Sequence, residues 1–404
     1  MEKNFQNMMN KNTRNGKRVN IKLVTSQLYP FSSIDLTTLL TKLSSLYYKT
    51  DLLISMAHSV NNGIDVQELN ILSRSLRNTS SISRNKLIDV YKDVDLLIRH
   101  GFMQTLSTKT LQHEFSLFFE SIKDINNSMS KNGLSKLRTD DIKPILINFK
   151  NNGFDKSITD LYSLPKKNIY DKIGEYPFLI KELENSLERV KSFHKSIVSD
   201  LKILEDLNKL LICNQKTQPD KIERKLIGKY IDPFFDNFCN CNFPIIMLNK
   251  DTNYHVLCHY HFDDKYYDHP FYFDIKEVSH NSPTLIDIVS AAVNMAPLIA
   301  VYIIILKTRK LQLENQLTKA SLDKLAEKQK QKREILQQIN LISKLINEYS
   351  AFQGVYDKNI VAQINNIKSD FYRKKFNNLL KILLADYEKA LKEFDLELRG
   401  MSLE

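Results

Sequence analysis

The sequence predicts an all-α fold: an elongated bundle of long antiparallel coiled-coil helices, interrupted once by an apolar, aromatic-rich insert. Three observations predict it. Helix breakers are scarce, with 9 glycines and 10 prolines in 404 residues. A heptad seam, largely aliphatic, runs from Ile180 to Leu211. Between residues 231 and 306 the texture changes, because five prolines fall there while no glycine occurs between Gly228 and Gly354.

Residues 1–32 read as a flexible, basic lead-in rich in Asn and Lys. Residues 33–176 read as the N-terminal helical part of the bundle. Leu36, Leu39, Leu40 and Leu43 follow Ser33 at helical spacing, and Asn61-Asn62-Gly63 marks a break. Ser83 is placed to cap a helix with the face Leu87, Val90, Val94, Leu97, ended by Gly101. A further face runs Leu111, Phe115, Phe118, Phe119, Ile122, Ile125, with punctuation at Asn132-Gly133 and at Asn151-Asn152-Gly153.

Residues 177–230 form the first long helix. Its seam is Ile180, Leu183, Leu187, Val190, His194, Ile197, Leu201, Leu204, Asn208, Leu211. From Pro177 to Gln218 it is roughly 60 Å long at the usual rise. His194 and Asn208 interrupt the seam as register-setting polar residues. Residues 307–404 are long returning helices: Leu311, Leu317, Leu322 and Leu325, then Ile335, Ile339, Ile342, Ile346 and Tyr349, a turn at Gly354, then Ile360, Ile364, Ile367, Phe371 and onward to Leu398.

The insert 231–306 carries five of the histidines, three of the four cysteines and a dense set of aromatics. Phe243, Ile245, Ile246 and Leu248 form a short apolar patch. Tyr266, Tyr267, Phe271, Tyr272 and Phe273 suit an interfacial belt, where aromatic rings favour the headgroup level. The stretch 254–275 alternates in places and has extended character. Thr284 to Leu306 is the most apolar run of the chain, through Leu285, Ile286, Ile288, Val289, Val293, Leu298, Ile299, Val301, Tyr302, Ile303, Ile304, Ile305 and Leu306. As one helix it spans about 34 Å, against ~30 Å for a bilayer's hydrocarbon core. Lys307, Arg309 and Lys310 follow, as headgroup-facing cations would. Three readings are open for this run: a permanent anchor, the buried core helix of a water-soluble domain, or a segment stored in water and released to lipid. Asp287, Ser290 and Asn294 fall on one face of such a helix, which favours the third.

The order of a helical N-terminal part, a very long helix, an apolar insert and a long return resembles the α-helical pore-forming toxins. It resembles more narrowly the A subunit of the binary α-xenorhabdolysin-type cytotoxins. The resemblance is architectural, covers the chain from about residue 33 and rests on no short motif. It implies a rod-shaped bundle whose foot, residues 231–306, meets the lipid bilayer of a target cell. It implies a second subunit of the same helical class, recruited on the membrane into a hetero-oligomeric pore whose main spanning element it supplies. The His- and Cys-rich stretch departs from that pattern.

Other chemistry is discounted. The spacing Cys239-x-Cys241…His255-x-x-Cys258-His259-x-His261 matches no standard zinc template, so no metal or other cofactor is expected. Charging of the insert's histidines between about pH 5 and 7 would instead favour an anionic surface. His113-Glu114 lacks the second histidine of a metalloprotease, and no nucleophile elbow occurs, so no catalytic residue and no enzyme activity is expected. Cys213 reads as helix packing. The net charge of +11 has no accompanying nucleic-acid motif, so no nucleic acid is expected. Met1 to Asn20 has no apolar core of a secretory signal, which predicts a chain made soluble and released by a non-classical route. The alternatives are a membrane-anchored coiled-coil scaffold and a helical metal-binding regulator.

Overall fold

The computed structural model describes residues 18–25, 32–72, 87–90, 94, 97–98, 103–168, 176–216, 218–250, 253–258, 274–279, 285–320 and 326–403. In chain order the elements begin β1 (Arg18–Thr25), α1 (Ser33–Asn61), β2 (Leu69–Leu72), β3 (Leu87–Asp89), β4 (Met103–Thr105), α2 (Thr110–Lys131), α3 (Thr139–Ile147), α4 (Phe149–Asn168) and α5 (Pro177–Ile212). They continue α6 (Lys221–Leu226), α7 (Asp232–Asn240), β5 (Ile245–Lys250), β6 (Asn253–Cys258), β7 (Asp274–Ser279), β8 (Leu285–Ala291), α8 (Ala292–Ala320), α9 (Ala326–Tyr356), α10 (Ala362–Asn365), α11 (Asp370–Glu393) and β9 (Leu396–Leu403). Turns of π-helix, Ile227–Ile231 and Asp357–Val361, join α6 to α7 and α9 to α10. Helix predominates, as the periodicity predicts, and two antiparallel sheets accompany it.

The chain divides into two compact units. The first comprises Met1–Ala57, Asp263–Asn366 and Phe376–Glu404; the second comprises His58–Phe262 and Ile367–Lys375. The expected insert 231–306 is therefore split between them at residue 262.

In the first unit the sheet order is β7-β8-β1-β9. Strand β1 pairs antiparallel with β8, from Arg18↔Ala291 to Val24↔Leu285, and with β9, from Val19↔Leu403 to Thr25↔Leu396. Ile21, Leu23 and Val24 are buried while Lys22 is exposed. For residues 18–25 this corrects the reading of 1–32 as a flexible lead-in; residues 1–17 and 26–31 lie outside the described residues. Val19, Ile21 and Leu23 alternate with polar residues, which is the signature of a half-buried strand.

The run Thr284–Leu306 is also corrected: it is not one helix. Leu285–Ala291 is a strand paired on both sides, and helix begins only at Ala292. A short continuous apolar run has no period that separates strand from helix, and Ile286, Ile288 and Val289 are β-branched. The expected polar helical face of Asp287, Ser290 and Asn294 consequently does not exist. Asp287 is instead the register partner of Lys22 on β1, an opposite charge.

Helices α8 and α9 pack along each other, with the Tyr302 and Tyr349 rings 6.1 Å apart. Helix α8 is described to Ala320 and α9 from Ala326, and Gly354 is inside α9 rather than at a turn. The chain turns instead after α10, at Asn366. A glycine without positive φ is tolerated in a helix where the flanking apolar seam continues. In the same unit α1 starts at a reciprocal cap, Ser32 Oγ to Asp35 Oδ2 at 2.6 Å and Asp35 N–H to Ser32 Oγ at 3.1 Å. Its Thr50 hydroxyl meets the fully buried Tyr387 hydroxyl of α11 at 3.3 Å.

In the second unit the sheet order is β3-β6-β5-β2-β4. Leu87–Asp89 pairs with β6 as β3, so the helix expected to run from Ser83 through Leu87 is not formed there. Residues 73–86 lie outside the described residues. Central strands β2 and β5 bury Leu69, Ile71, Leu72 and Ile245 to Leu248. Helices α2, α4 and α5 pack mutually. Ion pairs and hydrogen bonds set their directions: His194 meets Glu114 and Ser128 meets Glu182, so α5 runs antiparallel to α2. Lys166 meets Glu184 and His194 lies near Asp155, so it is antiparallel to α4 as well. Helix α4 is kinked at Gly153, whose φ of 71° is the left-handed conformation that glycine adopts without steric penalty.

All ten predicted seam positions of α5 are buried or half-buried. Asn208 accepts a 2.7 Å hydrogen bond from the Tyr372 hydroxyl, and the Ser369 hydroxyl donates to Leu211 O at 2.8 Å. Asn214, at φ 57°, closes the end of α5, its side chain bonded to Lys368 O and Asp370 N–H. Cys213 is exposed at that end rather than packed, because helix stops at Ile212.

Candidate functional site

The residues expected to meet lipid fall in both units. Phe243, Ile245, Ile246 and Leu248 are buried core of the second unit, on and before β5. Leu285, Ile286, Ile288 and Val289 lie on β8 of the first. In α8, Leu298, Ile299, Val301, Tyr302, Ile303 and Leu306 are buried, Ile305 is half-buried and Ile304 is 57% exposed. Val293 opens the same helix. Tyr266, Tyr267, Phe271, Tyr272 and Phe273 lie outside the described residues. Lys307 and Arg309 are exposed, and Lys310 lies 3.8 Å from Glu314 one turn on. So the run from Met295 to Leu306 is largely packed inside the first unit and gives way directly to exposed Lys307 and Arg309. No helix among the described residues is long and apolar enough to cross a membrane.

Of the zinc-like pattern, Cys241 is buried, Cys239 is half-buried, and His255 and Cys258 fall on β6. Their register partners on β5 are Leu248 and Ile246, with an irregularity in the pairing between Ile246 and Met247. His259 and His261 lie outside the described residues.

A second feature escapes sequence reasoning entirely. Helices α2, α4 and α5 leave an open cleft of about 440 Å³ between them. One wall carries Glu120 and Asp124, one turn apart on α2; the other carries Ser186, Arg189, Val190 and Phe193 of α5. Tyr162 of α4 closes the floor. Glu120 is held above the usual carboxylate range by burial and then by the Asp124 charge, with Lys123 opposing. Arg189 is turned back along its own helix, donating to Ser186 Oγ at 3.0 Å and to Asn185 O at 3.3 Å. The Tyr162 side chain is buried beside Ser121, and burial raises its pKa while the Ser121 hydroxyl opposes.

Phe193 also borders a smaller cavity of about 90 Å³, lined in part by His113, Ser116, Lys229 and Tyr230. There the π-turn brings Lys229 Nζ and the Tyr230 hydroxyl to Asp200 Oδ2, at 2.7 and 2.8 Å. Lys229 Nζ sits 5.0 Å from the Phe193 ring centroid. His113 is buried edge-on to Tyr230, with Nε2 2.7 Å from Ser107 O. Burial lowers its pKa to about 4, the Ser107 carbonyl opposing. The only sequence signal for the cleft is the pair Glu120 and Asp124 at helical spacing beside an apolar face. Their opposing wall lies more than sixty residues away.

No protein-family model, no curated protein and no solved structure matches this chain.

Proposed function

We propose that this chain is one component of a two-component pore-forming cytolysin. In water it holds its apolar segment inside the first unit; on a target membrane it releases that segment to lipid and recruits a second subunit of the same helical class. The observation that supports this is the fate of Leu285–Leu306. Seven of these residues form a strand between β1 and β7, and the remainder opens α8 with its apolar side chains buried from Met295 to Ile303. Exposed Lys307 and Arg309 follow immediately, placed to dock on anionic headgroups before anything is released.

The physics of the transfer has two parts. Apolar surface moved from water to lipid contributes about 25 cal/mol per Å², but here the surface is already buried in protein, so lipid must compete with the first unit's own core. Contact with headgroups and with the second subunit supplies the bias. The backbone of β8 imposes a further condition, since an unpaired peptide group in hydrocarbon costs several kcal/mol. Leaving β1 and β7, Leu285–Ala291 would re-form its hydrogen bonds as helix continuous with α8, which recovers the about 34 Å apolar helix read in the sequence. In this account α5 and the returning helices are the coiled-coil arms that pack against neighbouring subunits, and no residue has a catalytic role.

The same burial supports a second reading, in which Leu285–Leu306 is the permanent core of a helical structural protein. Vesicle flotation separates the two. The cytolysin component floats with anionic vesicles, alone or with its partner subunit; the structural protein stays in the aqueous phase between about pH 5 and 8.

A further inference from the structure

The outer face of α8 changes character after Ile303. From Met295 to Ile303 the helix is buried. Beyond it the inward positions are Leu306, Lys310, Leu313 and Leu317, buried or half-buried at steps of four, three and four. Ile304 and Leu311 each precede one of these by two positions, which places them about 200° round the helix from the packed seam. They are 57% and 59% exposed. Exposed Thr308, between them on the same face, donates its hydroxyl to Ile304 O at 3.0 Å, so its polar group is satisfied within the helix. The result is a short apolar stripe on the solvent side of α8.

The charges beside the stripe are of one sign. Lys307 lies one turn from both Ile304 and Leu311; it is exposed, and among the described residues it makes no ion pair. Arg309 is exposed on the flank. The first acid along α8 after Ile303 is Glu314, which lies 3.8 Å from Lys310. This composition selects the occupant. A partner helix would need an apolar seam at steps of three and four, and beyond Leu311 that seam would have to run through Asn315 and Thr318. An anionic bilayer surface needs only what is present: apolar side chains that enter the headgroup boundary, and cations that stay at the phosphates.

We propose that α8 docks on an anionic bilayer surface through the exposed stripe Ile304, Thr308 and Leu311, with Lys307 at the headgroups, while Leu285–Ile303 is still packed in the first unit. The inference rests on the membrane-binding function proposed above and deepens it: docking is in part apolar, so salt alone does not reverse it.

The chain contains no tryptophan, so Leu311→Trp reports from this face alone. Leu341→Trp on α9, at a position also 59% exposed, is the control. Each full-length variant is mixed with vesicles of phosphatidylcholine and about 30% phosphatidylserine, without a second subunit, and emission, acrylamide quenching and flotation are recorded. Leu311→Trp is expected to shift to the blue and to become shielded from acrylamide, and Leu341→Trp to do neither. In about 0.5 M salt, where the screening length is about 4 Å, the native chain should still float, and Ile304→Ser with Leu311→Ser should float about tenfold less. Both positions are exposed, so that variant keeps the fold. Flotation with unshifted Leu311→Trp emission, or an equal shift at Leu341→Trp, overturns the inference and leaves the release of Leu285–Leu306 standing. A shift that grows with protein concentration in the absence of vesicles assigns the stripe to a second copy of this chain and overturns it too, as does absence of flotation without the second subunit. Docking of this kind with no release of a vesicle-trapped dye once the second subunit is added would support the inference and contradict the cytolysin function.

Discussion

Acid should weaken the second unit through one side chain, His113. Its ring is buried, its edge faces Tyr230, and its Nε2 is 2.7 Å from the Ser107 carbonyl, which fixes the neutral ring with the proton on Nε2. In the unfolded chain the imidazole takes a proton below about pH 6.5; in the fold it does so only near pH 4. Stability is therefore full above about pH 6.5 and is lost as pH falls towards the folded pKa. The separation of about 2.5 pH units corresponds to about 3 kcal/mol at the acid limit, of which about 2.5 kcal/mol is already lost at pH 4.5. His113→Gln keeps a donor for Ser107 O and cannot take a charge. Urea unfolding of both chains at about pH 7 and pH 4.5, followed by circular dichroism, isolates the term, because every other titrating group is common to the two. The native chain should lose about 2.5 kcal/mol more than His113→Gln over that interval. Equal acid losses in the two chains would refute the assignment of a neutral, buried His113.

Three further outcomes follow from other parts of the molecule. Tyr372→Phe should destabilise the second unit by about 1–3 kcal/mol in urea, because it strips Asn208 Oδ1 of its donor in a core where Asn208 Nδ2 is already unpaired. Lys307→Glu with Arg309→Glu should weaken flotation with anionic vesicles by tenfold or more, at about 1 kcal/mol per cation near a charged surface, and leave the unfolding midpoint within about 0.5 kcal/mol because both positions are exposed. A disulfide between cysteines placed at the register partners Asn20 and Val289 should hold β8 against β1 and prevent transfer to lipid until it is reduced.

The sequence made some of this legible and hid the rest for identifiable reasons. Helix α5 is legible residue by residue, because a heptad seam faces inward wherever it packs, and its polar seam residues meet polar groups, His194 at Glu114 and Asp155 and Asn208 at Tyr372. The aromatic face of α2 is legible for the same reason: Phe115, Phe118, Phe119, Ile122 and Ile125 are all buried. Strands β1, β8 and β9 are not, since their pairing joins residues 18–25 to 285–291 and to 396–403. Such pairing leaves no local trace beyond a short alternation that Asn and Lys obscure. The apolar run at 285–306 shows the limit most clearly. Hydropathy carries no period that separates strand from helix; only the β-branched residues hint at where β8 becomes α8. The cleft between α2, α4 and α5 is hidden for another reason: its walls come from three helices that lie far apart in the sequence.

The release of Leu285–Leu306 is the central claim, and the Asn20→Cys, Val289→Cys chain tests it most directly. Anionic vesicles loaded with a self-quenched dye are mixed with the oxidised and the reduced protein, each with the partner subunit, and flotation and dye release are followed together. The account predicts that the reduced chain floats and releases dye, while the oxidised chain docks through Lys307 and Arg309 but releases none. Equal dye release from the oxidised and reduced proteins, or no binding by either between about pH 5 and 8, would contradict it.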